Sequence, residues 1–341
     1  MSVKNIVRIG LIGAGRMGSF HGETVAQRVP GATLIAVAVA VAVADPVPGA
    51  AEKLAARLGA KKSYTDPQDL LNDPEIDAVV IASPARTHAE LVVAAAKAGK
   101  GVFCEKPMAV TLEDADKAIN AAKTAGVALQ VGFNRRFASG FATAYEEIKA
   151  GKIGVPQLLR STTRDPGLGD PTPIPHWTIF LETLIHDFDI LLHLNPGAKP
   201  TRVYAVADAL VRPDFKDRGL LDTAVVNICF DNGAFATAEA NFQAVYGYDV
   251  RGEVFGSKGM LQAGNINVNN CVRYTADGIS IDTARRDTDL LHDAYVAEVT
   301  DFVHCVATGA TPKASGEDAR NALEVALACI ASVQQSQPIK L

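Results

Sequence analysis

The residues best suited to chemistry fall at three places. Lys106 lies in GVFCEKP (101–107), where Glu105-Lys106-Pro107 directly follows a short apolar run. A lysine at the carboxyl end of a buried strand can donate a hydrogen bond to a substrate hydroxyl and stabilise the alkoxide charge that develops there. The Lys106–Pro107 bond is also a candidate cis peptide that would hold the lysine in place. From the residues alone, an exposed lysine at a strand end is more often solvated than catalytic. Glu182 and His186 stand at i and i+4 in FLETLIHDFDILLHL (180–194). On an α-helix that spacing puts both on one side, so a carboxylate and an imidazole would be presented together. Histidine suits proton transfer near neutral pH, whereas an ordinary intrahelical Glu–His pair is the bland alternative. His193 reads as packing. No HExxH or Cys/His cluster is present, so no metal is expected.

The third place is VRIGLIGAGRMG (7–18), where an apolar run leads into Gly13-x-Gly15-x-x-Gly18. Gly13 allows the tight turn, Gly15 lets a pyrophosphate approach the backbone, and Gly18 lets helix pack close to strand. The free N–H groups and positive dipole end of the helix that follows would hold phosphates. Asp45 ends the next apolar run. An acid there would accept hydrogen bonds from an adenine ribose and disfavour a 2′-phosphate, so NAD is expected over NADP. A plain turn residue before Pro46 is the alternative.

Elements must carry these residues. Apolar runs at 6–12, 33–44, 78–82, 101–104 and 128–132 alternate with helical patterns at 18–29, 49–58, 67–71 (after an Asp66 cap), 86–98 and 112–125. That rhythm predicts a doubly wound parallel sheet. Beyond residue 135 the pattern changes. Helices are expected over 139–150, around 180–193 and over 317–332. Strands are expected over 201–206, 224–230, 234–241 and 248–255, with a hairpin turn at Gly256–Gly259. Short turns between consecutive strands predict a largely antiparallel open sheet in an α+β second domain. The expected division is 1–130, a Rossmann domain, and 131–341, a substrate and oligomerisation domain. The Val-Ala alternation over 36–44 fits a strand of weak register.

Composition excludes several classes. A net charge of −5 over 341 residues leaves no basic footprint for nucleic acid. Five cysteines without a CxxC read as free thiols in a reducing compartment. No leader or membrane-spanning run is evident, so a cytoplasmic protein with no membrane partner is expected.

GAGRMG (13–18), CEKP (104–107) and IHDFD (185–189) occur together, with VGFNRRF (131–137), YGYDVRGEVFGSKG (246–259) and DAYVAEVTDFV (293–303). In this combination the chain resembles the Gfo/Idh/MocA oxidoreductases over nearly its whole length, and within them bacterial inositol 2-dehydrogenases. The resemblance implies that Lys106 and His186 are catalytic. It implies NAD contacts at Gly13, Gly15, Arg16, Met17, Gly18, Asp45, Ser83, Pro84, His88, Glu105 and Lys106. Asn134, Arg135, Trp177 and His186 fall at the substrate side, and a homodimer or homotetramer is implied. Two departures stand out. Glu182 takes the place of the family's aspartate, and His176-Trp177-Thr178 replaces a Ser-Gly-Gly run.

The reading is an NAD-dependent dehydrogenase that oxidises a secondary hydroxyl of a cyclitol or sugar. Glu182 would orient His186 or grip a neighbouring hydroxyl. Two alternatives stand beside it: a redox-neutral, NAD-recycling glycosidase-type enzyme of the same fold, and a non-catalytic NAD/sugar sensor.

Overall fold

The computed structural model describes residues 6–38, 49–172 and 174–341, with the side chains of residues 34–38 and 265 excepted. The chain runs β1 (Val7–Ile12), α1 (Arg16–Gln27), β2 (Ala32–Ala38), α2 (Ala50–Leu58), β3 (Lys62–Tyr64), α3 (Pro67–Leu71), β4 (Ala78–Ile81), α4 (His88–Lys97), β5 (Gly101–Cys104), α5 (Leu112–Ala125) and β6 (Leu129–Val131). It continues with α6 (Ser139–Lys149), β7 (Pro156–Arg164), α7 (Ile185–His193), β8 (Pro200–Asp208), β9 (Thr223–Phe230), β10 (Phe235–Asn241), β11 (Asp249–Gly256), β12 (Gly259–Asn265), β13 (Asn267–Thr275) and β14 (Gly278–Thr283). Last come α8 (Asp287–Leu290), α9 (His292–Thr308), α10 (Gly316–Gln335) and β15 (Ile339–Lys340).

The chain forms two compact units and does not divide at a single point. The first unit takes residues 1–134 and 295–323, and the second takes 135–294 and 324–341. The expected division at 130/131 misses the return of the chain. Residues of α9 come back to pack on the first sheet, and nothing in linear order signals that.

In the first unit six strands lie in the order β3-β2-β1-β4-β5-β6, every neighbouring pair parallel. The strand order reverses between β1 and β4, which is where α/β sheets open a crevice for ligands. All four residues of β4 are fully buried, as expected of a parallel strand covered on both faces. Val299, Phe302 and Val303 of α9 join Val7, Ile9, Leu11, Val80 and Phe103 in one core. Each such side chain contributes about 1.5–3 kcal/mol by burial. Helix ends follow local chemistry. Asp66 accepts from the Gln68 N–H to start α3, Thr111 accepts from the Asp114 N–H to start α5, and Gly126 ends α5 in the left-handed region. Residues 39–48, including Asp45 and most of the Val-Ala run, lie outside the described residues.

In the second unit seven strands lie in the order β12-β11-β7-β10-β9-β8-β15. The pairs are antiparallel except β7 with β10, which is parallel. Strict alternation in β9 buries Ala224, Val226, Ile228 and Phe230 and leaves Val225 and Asn227 exposed, so one face is covered and the other open. β7 is central, yet its sequence PQLLRSTTR carries no apolar alternation, so sequence pattern alone does not reveal it. Its polar residues Ser161, Thr162 and Thr163 are buried; Ser161 and Thr163 serve an ion-pair network described below, and Thr162 turns to the other face toward Glu239. The helix expected around 180–193 is broken. Ile179–Thr183 forms a π-helical turn and α7 begins only at Ile185, with the Leu184 N–H reaching back to the Ile179 carbonyl. β13 and β14 form a separate two-stranded ribbon. Among the described residues no helix is long and apolar enough to cross a membrane.

Candidate active site

The β1–α1 turn shows why each glycine of the motif is a glycine. Gly13 has φ +105, and a Cβ there would lie 2.5 Å from the Ala82 carbonyl oxygen. A Cβ on Gly18 would lie 2.1 Å from the Gly13 carbonyl oxygen. These two positions weld the turn to its own strand and to the end of β4. Gly15 differs. A Cβ there meets nothing within 4 Å, and it caps α1 with no side-chain hydrogen bond and no acid in the first turn. The helix therefore begins at Arg16 with no side-chain cap and no acid of its own to offset its positive dipole end. That is the cradle a pyrophosphate requires.

The ends of the next two strands carry further candidates. After β4, the Ser83 hydroxyl pairs with the Thr87 hydroxyl at 2.7 Å. His88 is buried, with Nε2 2.7 Å from the Ser83 carbonyl and Nδ1 2.8 Å from the Pro107 carbonyl. Burial lowers the His88 pKa against the pull of those two carbonyls, so the neutral ring donates to one of them at a time. His88 thus braces the Ser83-Pro84 turn against the Lys106–Pro107 turn. The Lys106–Pro107 bond is cis, as the sequence reading anticipated. Lys106 is half-buried and follows Glu105, which is buried. The Lys106 backbone N–H donates to Glu105 Oε2 at 3.2 Å. Burial raises the Glu105 carboxyl, but the His21 hydrogen bond and the charges of His21 and Lys106 outweigh it, leaving its pKa below the ordinary value.

The remaining candidates lie just before or within the second unit. Asn134 is buried, and its side-chain oxygen has no hydrogen-bond partner. Arg135 is also buried. Its guanidinium meets Asp187 at 2.7 Å and donates to the Thr163 hydroxyl at 2.6 Å. Asp187 also accepts from the hydroxyls of Ser161 and Thr163. Arg136 grips Asp189 through two nitrogens, at 2.9 and 2.6 Å. Two consecutive arginines therefore hold alternate residues of α7, fixing its first turns. His186 stands half-buried in that first turn, next to the clamped Asp187. Glu182 sits in the π-turn rather than on α7. The i, i+4 face expected of a continuous α-helix is thus replaced by a wider turn between them. Trp177 is half-buried, with its ring tilted on Phe180 at 6.3 Å. Its φ of 62 puts it in the left-handed region, at a cost of about 1–2 kcal/mol that glycine avoids. His193 stacks on Tyr145 at 3.9 Å, as packing.

Sequence reasoning missed Asp187 and Asp189, the carboxylates that seat α7. Their signal was present. Two acids in IHDFD and two arginines in FNRRF, each inside an apolar stretch, require buried partners. His21, whose ring meets the Glu105 carboxylate at 2.6 Å, was likewise unmarked.

Known proteins share the sequence families and the fold. A family model described as an oxidoreductase family with an NAD-binding Rossmann fold matches residues 7–133. A model of the GFO/IDH/MocA C-terminal domain matches residues 141–262. The chain is 38% identical over 346 residues to a myo-inositol 2-dehydrogenase of Thermotoga maritima, covering 98% of each chain. It is 38% identical over 336 residues to the scyllo-inositol 2-dehydrogenase (NAD(+)) of Bacillus subtilis, covering 98% of this chain and 96% of that one. The crystal structure of scyllo-inositol dehydrogenase from Lactobacillus casei, with bound NAD(H) and scyllo-inositol, superposes with a TM-score of 0.89 at 27% identity, covering 98% of this chain and 99% of that one. With a glycine cradle open at the switch point of its parallel sheet and both family models matched in order, the chain belongs to the GFO/IDH/MocA family of NAD-binding oxidoreductases.

Proposed function

We propose that this protein is an NAD-dependent dehydrogenase that oxidises a ring hydroxyl of a cyclitol, or of a sugar of similar shape. One observation carries the reading. The carboxyl ends of three neighbouring parallel strands, β1, β4 and β5, bear the open glycine turn, the Ser83-Pro84 turn and Lys106. The glycine turn and the Ser83-Pro84 turn would hold a dinucleotide along that edge, and Lys106 lies on the same edge. Relatives named as myo- and scyllo-inositol dehydrogenases support the substrate class.

Bound NAD supplies the hydride acceptor. Lys106 donates a hydrogen bond to the reacting hydroxyl oxygen and offsets the charge that gathers there. His186 takes the hydroxyl proton, and Glu182 orients His186 or holds a neighbouring hydroxyl. Asn134 and Arg135 belong to the segment leading into the substrate side, with Arg135 acting through Asp187. Trp177 offers an aromatic face where a glycine would leave space, which suits stacking on the apolar face of a ring.

The test is reduced-nicotinamide absorbance with NAD or NADP against a panel of inositols, aldoses and glycosides. A rise with a cyclitol or sugar and NAD supports the reading. Tight NAD binding with no rise for any compound sinks it in favour of a redox-neutral enzyme or a sensor.

The glycine cradle makes a separate prediction. Gly15 has φ −72 and ψ −164, a conformation open to any residue, and free space at its Cβ. Gly15→Val should fold normally yet weaken NAD at least about tenfold, about 1.4 kcal/mol. Calorimetric titration checks this, and unchanged affinity would remove the pyrophosphate from this turn.

We also infer a homo-oligomer built on the open face of the seven-stranded sheet. Met260, Phe255, Leu158 and Phe235 are direct cross-strand neighbours in one row, 46–56% exposed. Val206 and Val225 form a second exposed pair. A contiguous apolar row of this kind marks an interaction surface. Light scattering should report a dimer or larger, and Phe235→Lys should dissociate it. A monomeric wild type would refute the assignment.

A further inference from the structure

Behind the Lys106 peptide lies a buried cluster that the proposed reaction does not use. His21 on α1, Glu105 at the end of β5 and Glu298 on α9 all belong to the first unit. Their relative exposures are 0%, 6% and 0%. His21 Nε2 lies 2.6 Å from Glu105 Oε1. Glu105 Oε2 accepts from the Lys106 N–H, and a Cβ on Gly132 would sit 3.3 Å from the same carboxylate. Neither carboxyl oxygen of Glu298 has a hydrogen-bond partner, yet the ligand atoms of all three residues lie within 4.8 Å of one another. An ionised carboxylate with no donor is among the costliest groups to bury.

Two chemistries could satisfy this cluster. A divalent cation would need oxygen and nitrogen atoms arranged about 2.0–2.2 Å around it. The His21–Glu105 contact argues against that. At 2.6 Å the two atoms are hydrogen-bonded, and the shared proton fills the space a cation would occupy. The other chemistry is a shared proton.

We propose that Glu298 is a positioning residue, a neutral carboxylic acid that gives a hydrogen bond to Glu105, so that Glu105 is held between His21 and Glu298 and in turn fixes the Lys106 peptide. The separation is within reach of a small side-chain turn or one bridging water. Burial pushes the Glu298 carboxyl well up, and the negative charge of Glu105 adds to it. Of the other groups packed around the cluster, Lys106 and His88 bear on Glu105, and Tyr295 meets the His21 ring edge-on. Gln130 donates to the Glu298 backbone carbonyl at 2.7 Å rather than to its carboxyl.

A neutral Glu298 has a signature that plain packing lacks. Its folded-state pKa lies above the unfolded value, so above about pH 4.5 the unfolded chain releases a proton that the folded protein keeps. Stability from this group therefore falls as pH rises from there, until the folded carboxyl itself ionises. Glu298→Gln keeps the shape and a hydrogen-bond donor but cannot ionise.

The experiment compares wild type, Glu298→Gln and Glu298→Ala by thermal unfolding from pH 5 to pH 8 and by steady-state kinetics. The kinetic arm rests on the dehydrogenase reading, whereas the unfolding arm needs no substrate, so the two can fail separately. Tm of Glu298→Gln relative to wild type should climb steadily with pH, and the amide should keep kcat within about threefold while alanine loses at least tenfold. A Tm difference flat or falling with pH would overturn the proposal. So would an amide variant as inactive as alanine, or a chelator that lowers wild-type Tm but not that of Glu298→Gln.

Discussion

Lys106→Met should lower kcat by about 10²–10³-fold while leaving NAD affinity nearly unchanged. The substitution keeps the length and apolar stem of the side chain and removes only its charge and donors. The turn that would hold the pyrophosphate is built from Gly13, Gly15 and Gly18, which Lys106 does not form. The backbone N–H of residue 106 still donates to Glu105, and the His88 brace to the Pro107 carbonyl is untouched. The loop should therefore hold its place, and the loss should fall on the chemical step. Single-turnover kinetics with saturating NAD would read it directly. Turnover within about threefold of wild type would remove Lys106 from the reaction, since a lost transition-state donor is worth several kcal/mol.

Asp187→Ala should be the most destabilising single change in the second unit. Asp187 and Arg135 are fully desolvated partners, and the same carboxylate accepts from Ser161 and Thr163. Removing it leaves a buried guanidinium charge with only the Thr163 hydroxyl beside it, and the Ser161 and Thr163 hydroxyls without their acceptor. Breaking such a pair from one side costs about 3–5 kcal/mol. Trp177, the only tryptophan, lies in this unit, so its fluorescence during urea unfolding reports the unit concerned. Glu113→Ala, which breaks an exposed helix pair with Lys117, should shift the midpoint hardly at all. NAD binding should survive Asp187→Ala at temperatures where the protein remains folded, because the glycine turn lies in the other unit. A loss below about 1 kcal/mol would mean that the pair contributes little beyond what packing could replace.

The two predictions separate two kinds of residue that sequence motifs run together. IHDFD carries the family resemblance as one motif, yet Asp187 and Asp189 spend their carboxylates on Arg135 and Arg136, a different task from the one proposed for His186. FNRRF reads as a loop toward substrate, yet both arginines are buried anchors for α7.

Much of the first unit was legible in linear order, for a physical reason. A parallel sheet covered on both faces demands continuous apolar strands, so runs such as AVVI (78–81) identify themselves. The glycine spacing is equally local, because Gly13 and Gly18 answer to contacts a few residues away or at the adjoining strand end. The alternation of β9 and the Gly256–Gly259 hairpin follow from one open and one covered face. Tertiary structure alone decided the rest. β7 is polar because its inward hydroxyls meet Asp187, a partner 24–26 positions away. The π-turn before α7 shifts Glu182 off the helix that carries His186, and no periodicity of 3.6 distinguishes it from one more α-turn. His21, Glu105 and Glu298 are brought together only when α9 returns to the first sheet from nearly two hundred residues downstream. Local contacts write themselves into residue spacing, whereas buried charges find partners wherever the fold closes, and only the closed fold shows which carboxylates hold the frame and which groups remain for chemistry.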